Sequence, residues 1–397
     1  MKKIISSFSA AAAAALFAVP VLAGGVSGVF NEASAGLEAA APAEPAIPVP
    51  PGSGGVKVPK HAPSPAQALE ISRHNAALGG GRSALEKASP AEPRFRPYAD
   101  YEKIGYLIMN GDFEYASLPA KLAMASILPA DAELVIVLEK EGAADKEYLL
   151  SKYTAVIPKE RIRVVALKKS THSAYGFNSA FWARDAMPVP VLDGNGKLTL
   201  IDARYYHGFE GDKEISLLFG AGYEKHEYSF EGGNLQANTK GDCVIVDNKL
   251  HKDIPDGVFS GFYGCKRLIR LPFVDGIGHV DERARFVNDS TLLTDTPQYK
   301  DLLEAKGFTV HMLPRPRKPY GTYVNSLISG DRVAMPTFDE ETDAVAMAVY
   351  GRLGLKAVGG DSVALSTQGL GSLHCITMTY PKVPAAALLK AMNADEI

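Results

Sequence analysis

Residues 371–381, GSLHCITMTYP, set a cysteine in a strand-like run close to a histidine and threonines. A thiolate is a strong nucleophile, but it needs a base or a nearby cation to form near neutrality. Alternation along an extended chain puts Cys375 and Leu373 on one face and His374 with Ile376 on the other, so the base for Cys375 has to come from elsewhere. A second stretch, GIGHVDERARF (276–286), offers one. His279 and Asp281 are two apart and share a face if the chain is extended. The pair suits an acid/base with its charge partner first, a structural pairing second and two metal ligands third. His207, His226, His251 and His311 are scattered without ligand spacing.

Two further segments put charge where burial is expected. FWARDAMPVP (181–190) carries Trp182, Arg184 and Asp185, and SFEGGNLQAN (229–238) presents Glu231 just before two glycines. Glycines let a backbone turn sharply or approach a ligand closely. Taken singly, each segment also has a bland reading: a surface Arg-Asp pair beside a packed tryptophan, a plain turn, an inert buried thiol.

Cysteine usage weighs on that last reading. The chain opens MKKIISSFSAAAAAALFAVPVLAGG, two lysines followed by an apolar run and small residues, the pattern of a secretory signal cleaved after Ala23. The run is shorter than the roughly 18–20 residues that span a bilayer, and Pro20 interrupts it, so no lasting membrane anchor is expected. The product would be periplasmic or extracellular. There thiols tend to pair, and three cysteines leave one over. Cys243 and Cys265 are near enough in sequence to form a disulfide, with Cys375 left free.

Residues 24–96 are rich in Ala, Pro and Gly and read as a disordered spacer or pro-segment, with room for a short helix in SPAQALEISRHNAAL. The globular body runs from 97 to 397. Net charge is −3 with Lys and Arg scattered, which gives no electrostatic footprint for nucleic acid.

In that body AELVIVLEK, RIRVVALKK, DCVIVDN, RLIRLPFV, FTVHMLP, YVNSLIS and SVALST read as strands, and SLPAKLAMASIL, DKEYLLSKY, TPQYKDLLEAKG and EETDAVAMAVYGRLG as helices. Pro188 and Pro190 suggest an edge strand before a DGNG hairpin. The class is α/β, with a loose recurrence of strand, helix, strand that suggests a repeated unit. No GxGxxG follows a strand and no GxxxxGK[ST] occurs, so nucleotide folds lose their best marker.

Taken in order, WARDAMP (182–188), EGGN (231–234), GHVDERARF (278–286), YVNSLI (323–328) and GSLHCITMTYP resemble the agmatine deiminase and Porphyromonas-type peptidylarginine deiminase family of guanidine-modifying, pentein-fold enzymes. The resemblance implies a five-bladed α/β propeller around a central site and a C–N hydrolase needing neither metal nor organic cofactor. It makes Cys375 the nucleophile, His279 the acid/base, and Asp185 and Asp281 the carboxylates that hold the guanidinium. Asn325 matches a site-lining position, Trp182 would cover the apolar stem of the substrate, and Glu231 would hold its far end or support the aspartates. The substrate would be a small guanidine such as agmatine, or arginine in a peptide or protein. Peptidyl members of the family supply arginines after the WxRD motif, but IDARYYHGFEGDKE offers only Arg204, which argues against a clamp for a terminal carboxylate.

The chemistry asks for the same set. A guanidinium is planar and cationic, and its forked donors match carboxylates two at a time. Two aspartates can therefore fix its plane and hold its carbon for attack. An amidinotransferase would share the covalent step but pass the group to an amine, and a binding protein would need no thiol at all.

Overall fold

The computed structural model describes residues 58–81, 92–138, 143–167, 180–384 and 387. The expected signal segment and most of the Ala/Pro-rich leader lie outside these. Among the described residues no helix is long and apolar enough to cross a membrane.

Among the described residues, five small sheets follow one another along the chain, each built on the same plan. An antiparallel strand pair is followed by a helix and then by a third strand parallel to the second. The first sheet holds Met378–Tyr380, Tyr106–Asn110, Glu133–Leu138 and Ile162–Ala166. The second holds Phe95–Pro97, Val189–Asp193, Leu198–Arg204 and Gly222–Ser229. The third to fifth have three strands each: Gln236–Ala237, Asp242–Asp247 and Arg267–Pro272; Ala284–Phe286, Thr291–Thr294 and Thr309–Met312; Leu327–Ser329, Arg332–Thr337 and Lys356–Asp361.

The hydrophobic cores join these sheets into a ring. Leu200 of the second sheet packs in one core with Ile108 and Val135 of the first, Ile201 with Cys243 and Ile245 of the third, and Val244 and Val246 with Leu292 and Phe286 of the fourth. Leu293 then shares a core with Val333 and Met335 of the fifth, and Leu327 and Ala334 return to Leu107 and Leu134 of the first. Closure depends on the end of the chain, where Met378 pairs with Ile108 and Tyr380 with Tyr106. That pairing fixes Cys375, three residues earlier, among segments far upstream.

Several local expectations give way. SVALST is no strand: Leu365–Gly369 is helical, because Ser366 bonds the Gly371 carbonyl and Ser362 bonds Ser372 instead of joining a ladder. In YVNSLIS only Leu327–Ser329 is extended. His374–Ile376 forms a 3-10 turn, so strand alternation does not apply there. Strand Val189–Asp193 is not an edge, since Phe95–Pro97 pairs on its far side. Pro190, with no N–H to donate, sits one residue past that short ladder.

The short helix expected in the leader is present, but this part of the leader is docked on the body and is not a free spacer. Val58–His61 is bound to the body, and Pro65–Gly81 is a helix whose buried Asn75 donates to the carbonyls of Ser229 and Leu250 and accepts from the Ser229 N–H. Low hydrophobicity denies this segment a core of its own, but it borrows one from the ring.

Cys243 and Cys265 form a disulfide inside the core shared by the second and third sheets, and Cys375 is the remaining free thiol. Titrating the denatured, unreduced protein should therefore find one thiol per chain. Cys265→Ser should lower unfolding free energy by about 3 kcal/mol, the loop-entropy contribution for a closure of this size, as read from denaturant melts.

Candidate active site

Short turns at the ends of several sheets bring the reactive groups to one place. Asp185 lies in the four-residue helix Ala183–Ala186, Glu231 precedes the turn Gly232–Asn234, His279 precedes the turn Val280–Glu282, and Cys375 is in the His374–Ile376 turn. His279 and Asp281 thus converge through a tight turn, not through strand periodicity.

Gly233 marks the centre. Its N–H donates to Asp185 Oδ1 at 2.8 Å. A Cβ there would lie 2.8 Å from both Asp185 Oδ1 and His279 Nδ1 and 3.3 Å from Asp281 Oδ1. Only glycine leaves that space open. His279 Nδ1 and Asp281 Oδ1 are buried without a hydrogen-bond partner. An acceptor and a ring nitrogen left bare at one point are arranged to meet a ligand.

His279 donates from Nε2 to Glu231 Oε2 at 3.0 Å. Burial works against its protonated form, but Asp185 and Glu231 outweigh burial and push its pKa up to about 10. Burial likewise opposes ionisation of Glu231, yet His251 and His279 hold it far below the usual carboxylate range. His251 Nε2 is 2.9 Å from Glu231 Oε2, and Asn234 Nδ2 donates to His251 Nδ1 at 2.8 Å, which leaves the His251 proton on the side facing Glu231. Glu231 therefore supports His279, not the far end of a ligand.

On the opposite side, Asp281 Oδ2 accepts from His374 Nδ1 at 2.7 Å, and His374 Nε2 donates to Asp100 Oδ2 at 2.9 Å. His374 does not face away: the turn swings it under the carboxylate, where it holds Asp281 below its ordinary pKa against the cost of burial. Asp100 in turn meets Arg184 Nη1 at 3.1 Å and Arg285 Nη1 at 3.5 Å. Arg184 is thus buried with Asp100, not paired with Asp185 on the surface.

Cys375 is 1% exposed. Its Sγ is 3.4 Å from Asn325 Oδ1 and 3.9 Å from Asp281 Oδ2. Asn325 Oδ1 also accepts the backbone N–H groups of His374 and Cys375, at 2.9 and 3.3 Å, so it shapes the turn that carries the thiol. Burial, then Asp281, Glu282 and Asp185, push the Cys375 pKa well above its ordinary value. In this state the thiol keeps its proton.

The place facing Asp185 is filled by a residue that sequence reasoning passed over. His61, in the leader, directs Nε2 to Asp185 Oδ2, stacks on Trp182 with ring centres 4.4 Å apart, and meets the His279 ring edge-on at 5.4 Å. Its distance in sequence from every motif concealed it. Trp182 is fully buried beneath this imidazole. His61, Asp185 and His279 also place donor atoms within 4.8 Å of one another, a geometry a cation could use.

Comparison with known proteins bears on the family and the fold. Residues 120–381 match the sequence profile of the Porphyromonas-type peptidyl-arginine deiminase family. The chain is 24% identical over 281 residues to an agmatine deiminase of Pseudomonas putida, covering 51% of this chain and 75% of that one. A Campylobacter (C. jejuni) agmatine deiminase solved with substrate bound superposes with a TM-score of 0.59 at 17% identity, over 73% of this chain and 97% of that chain. An Enterococcus faecalis agmatine deiminase gives 0.58 at 17%, over 75% and 99%. These likenesses fix the pentein fold, in keeping with the five repeated sheets. With its profile match spanning most of the globular body, this chain belongs to the Porphyromonas-type peptidyl-arginine deiminase family.

Proposed function

We propose that the protein hydrolyses the guanidinium of an arginine-type substrate to a ureido product and ammonia through a covalent Cys375 intermediate. Family membership already makes it a hydrolase of amidine C–N bonds. The observation that carries the finer reading is the convergence of Asp185, Asp281 and His279 at the point Gly233 leaves open, with the Cys375 thiol beside Asp281.

A guanidinium placed there would bring positive charge next to Asp185 and Asp281 and compensate two carboxylates that are otherwise costly to keep ionised and dry. The same cation reverses the field that holds the Cys375 proton, so substrate binding itself favours the thiolate. The Cys375 proton leaves to solvent as the cation enters, sulfur bonds to the guanidine carbon, and the C=N electrons move to nitrogen. His279, positively charged below about pH 10, gives its proton to the departing nitrogen as the C–N bond breaks and ammonia leaves. Neutral His279 next takes a proton from water, whose oxygen attacks the thiouronium carbon. The C–S bond breaks as the new hydroxyl passes its proton to ammonia or solvent, releasing the ureido group and restoring the thiolate. Trp182 would cover the guanidinium plane.

Peptidyl arginine and agmatine both fit this scheme, with citrulline as the residue formed in a peptide. The relatives named agmatine deiminase support the small substrate, and the family name supports the peptide. The buried disulfide supports export, since such bonds persist in oxidising compartments.

Purified protein given agmatine, arginine or an arginine peptide, without any amine acceptor, should release ammonia and ureido product. Release only when an amine is added would indicate an amidinotransferase, and no turnover by any substrate a binding protein. Cys375→Ala should abolish turnover while leaving the melting transition in place.

The pH dependence has a defined sign. With His279 as proton donor, kcat should fall as pH rises through about 10. Glu231→Gln removes a charge that raises the His279 pKa, so that falling limb should move to lower pH. The linked stability behaves the same way. Its folded pKa exceeds the ordinary value of 6.5, so the contribution of His279 is complete below 6.5 and lost as pH rises towards about 10. Denaturant midpoints of the wild type should fall across that window, and those of His279→Gln should fall less.

A further inference from the structure

We propose that Val58–His61 is a built-in pseudo-substrate whose imidazole occupies the guanidinium seat, so that the folded chain is latent until the leader is withdrawn. The inference rests on the deiminase reading for what the seat is for, though not for the fact that it is filled.

The segment is held as a ligand is held. Tyr115 Oη donates to the Val58 carbonyl at 2.9 Å, Trp182 Nε1 to the Pro59 carbonyl at 2.8 Å, and His207 Nε2 to the Lys60 carbonyl at 3.3 Å. The His61 N–H donates to the Gly369 carbonyl at 2.8 Å, and Tyr206 Oη donates to the His61 carbonyl. Four successive residues thus each have a main-chain bond to the body. The side chains are sorted as well: Val58, Pro59 and His61 are buried and Lys60 is exposed.

The imidazole is a reasonable surrogate for the substrate group. Like a guanidinium it is flat, carries N–H donors and takes up positive charge, so it can give a hydrogen bond to Asp185 while its face lies on Trp182. It lacks an amidine carbon bearing a leaving nitrogen, so the thiol has nothing to attack. A surface pairing of a leader histidine with any convenient carboxylate would not bury both partners completely, as here.

The helix that follows moors the segment. Through Asn75 it is bonded to Ser229 and Leu250, and His74 Nε2 donates to the Glu227 carbonyl at 2.8 Å. Arg204, the lone arginine after the WxRD motif, faces this helix, 3.2 Å from Glu70 and within hydrogen-bond reach of His74. A ligand tethered a few residues from its anchor has an effective concentration in the millimolar range, so substrate must compete with it.

The test uses the full chain and compares wild type with His61→Gly, which removes the imidazole, and with Asn75→Ala, which loosens the mooring and leaves the site chemistry alone. The first readout is the rate at which iodoacetamide alkylates Cys375, followed by peptide mass spectrometry, a measure independent of turnover. A leader seated nine-tenths of the time protects the thiol about tenfold. Alkylation should accelerate by that order in both variants, and a synthetic peptide VPKHAPS should restore protection to His61→Gly. Equal rates in all three chains would overturn the proposal, as would failure of the peptide to protect.

Turnover is the second readout. Both variants should lower the KM for agmatine or an arginine peptide without lowering kcat. Faster alkylation with no turnover in any chain would leave the pseudo-substrate standing and reject the deiminase reading. Turnover with identical KM and identical alkylation in every chain would do the reverse.

Discussion

The structure depends on keeping several carboxylates ionised in a dry place. Asp185, Glu231 and Asp281 are buried around one point, with Asp100 just behind. An uncompensated buried carboxylate costs several kcal/mol even after local relaxation, and neutralised aspartates could not hold a guanidinium. The surrounding donors answer that cost: His374 lies between Asp281 and Asp100, Arg184 and Arg285 against Asp100, and His251 and His279 on Glu231. They leave Asp281 Oδ1, beside the space that Gly233 keeps open, without a partner, and binding energy is available there.

The same field governs the nucleophile. A thiol surrounded by carboxylates is poorly reactive, and Cys375 stays protonated for that reason. Reactivity arrives with the charge of the substrate. For a chain that carries its other two cysteines as a disulfide, this arrangement also keeps the third from being spent on oxidants or stray electrophiles. His61 extends the logic: a group able to carry positive charge fills the seat when no substrate is there, at the expense of competing with substrate for it.

Much of the site was legible from its motifs. Residues with no reason to be polar in apolar or glycine-rich surroundings, Asp185, Glu231, His279, Asp281, Asn325 and Cys375, are brought together by the fold. What periodicity misjudged were the turns. His374 and Cys375 were separated by strand alternation, yet they lie in a 3-10 turn that sends one to support Asp281 and the other to the thiol position. Asp100, Arg285 and His251 carried no signal, since an Asp near a strand start or a lone His is commonplace until its neighbours are known. The leader misled most, because composition measures whether a segment can build a core and says nothing of whether it can dock on another.

The sequence by itself determined the repeated strand-helix pattern, the segments that hold the chemistry and the likeness to a family, because each is written in local residue types and their order. Tertiary structure alone decided which charges meet. Closing five sheets into a ring through the pairing of Met378–Tyr380 with Tyr106–Ile108 brings Cys375 to residues nearly a hundred positions away, and it carries His61 onto Asp185 across 124. Electrostatic coupling falls with distance in space, and distance in space is what the ring sets.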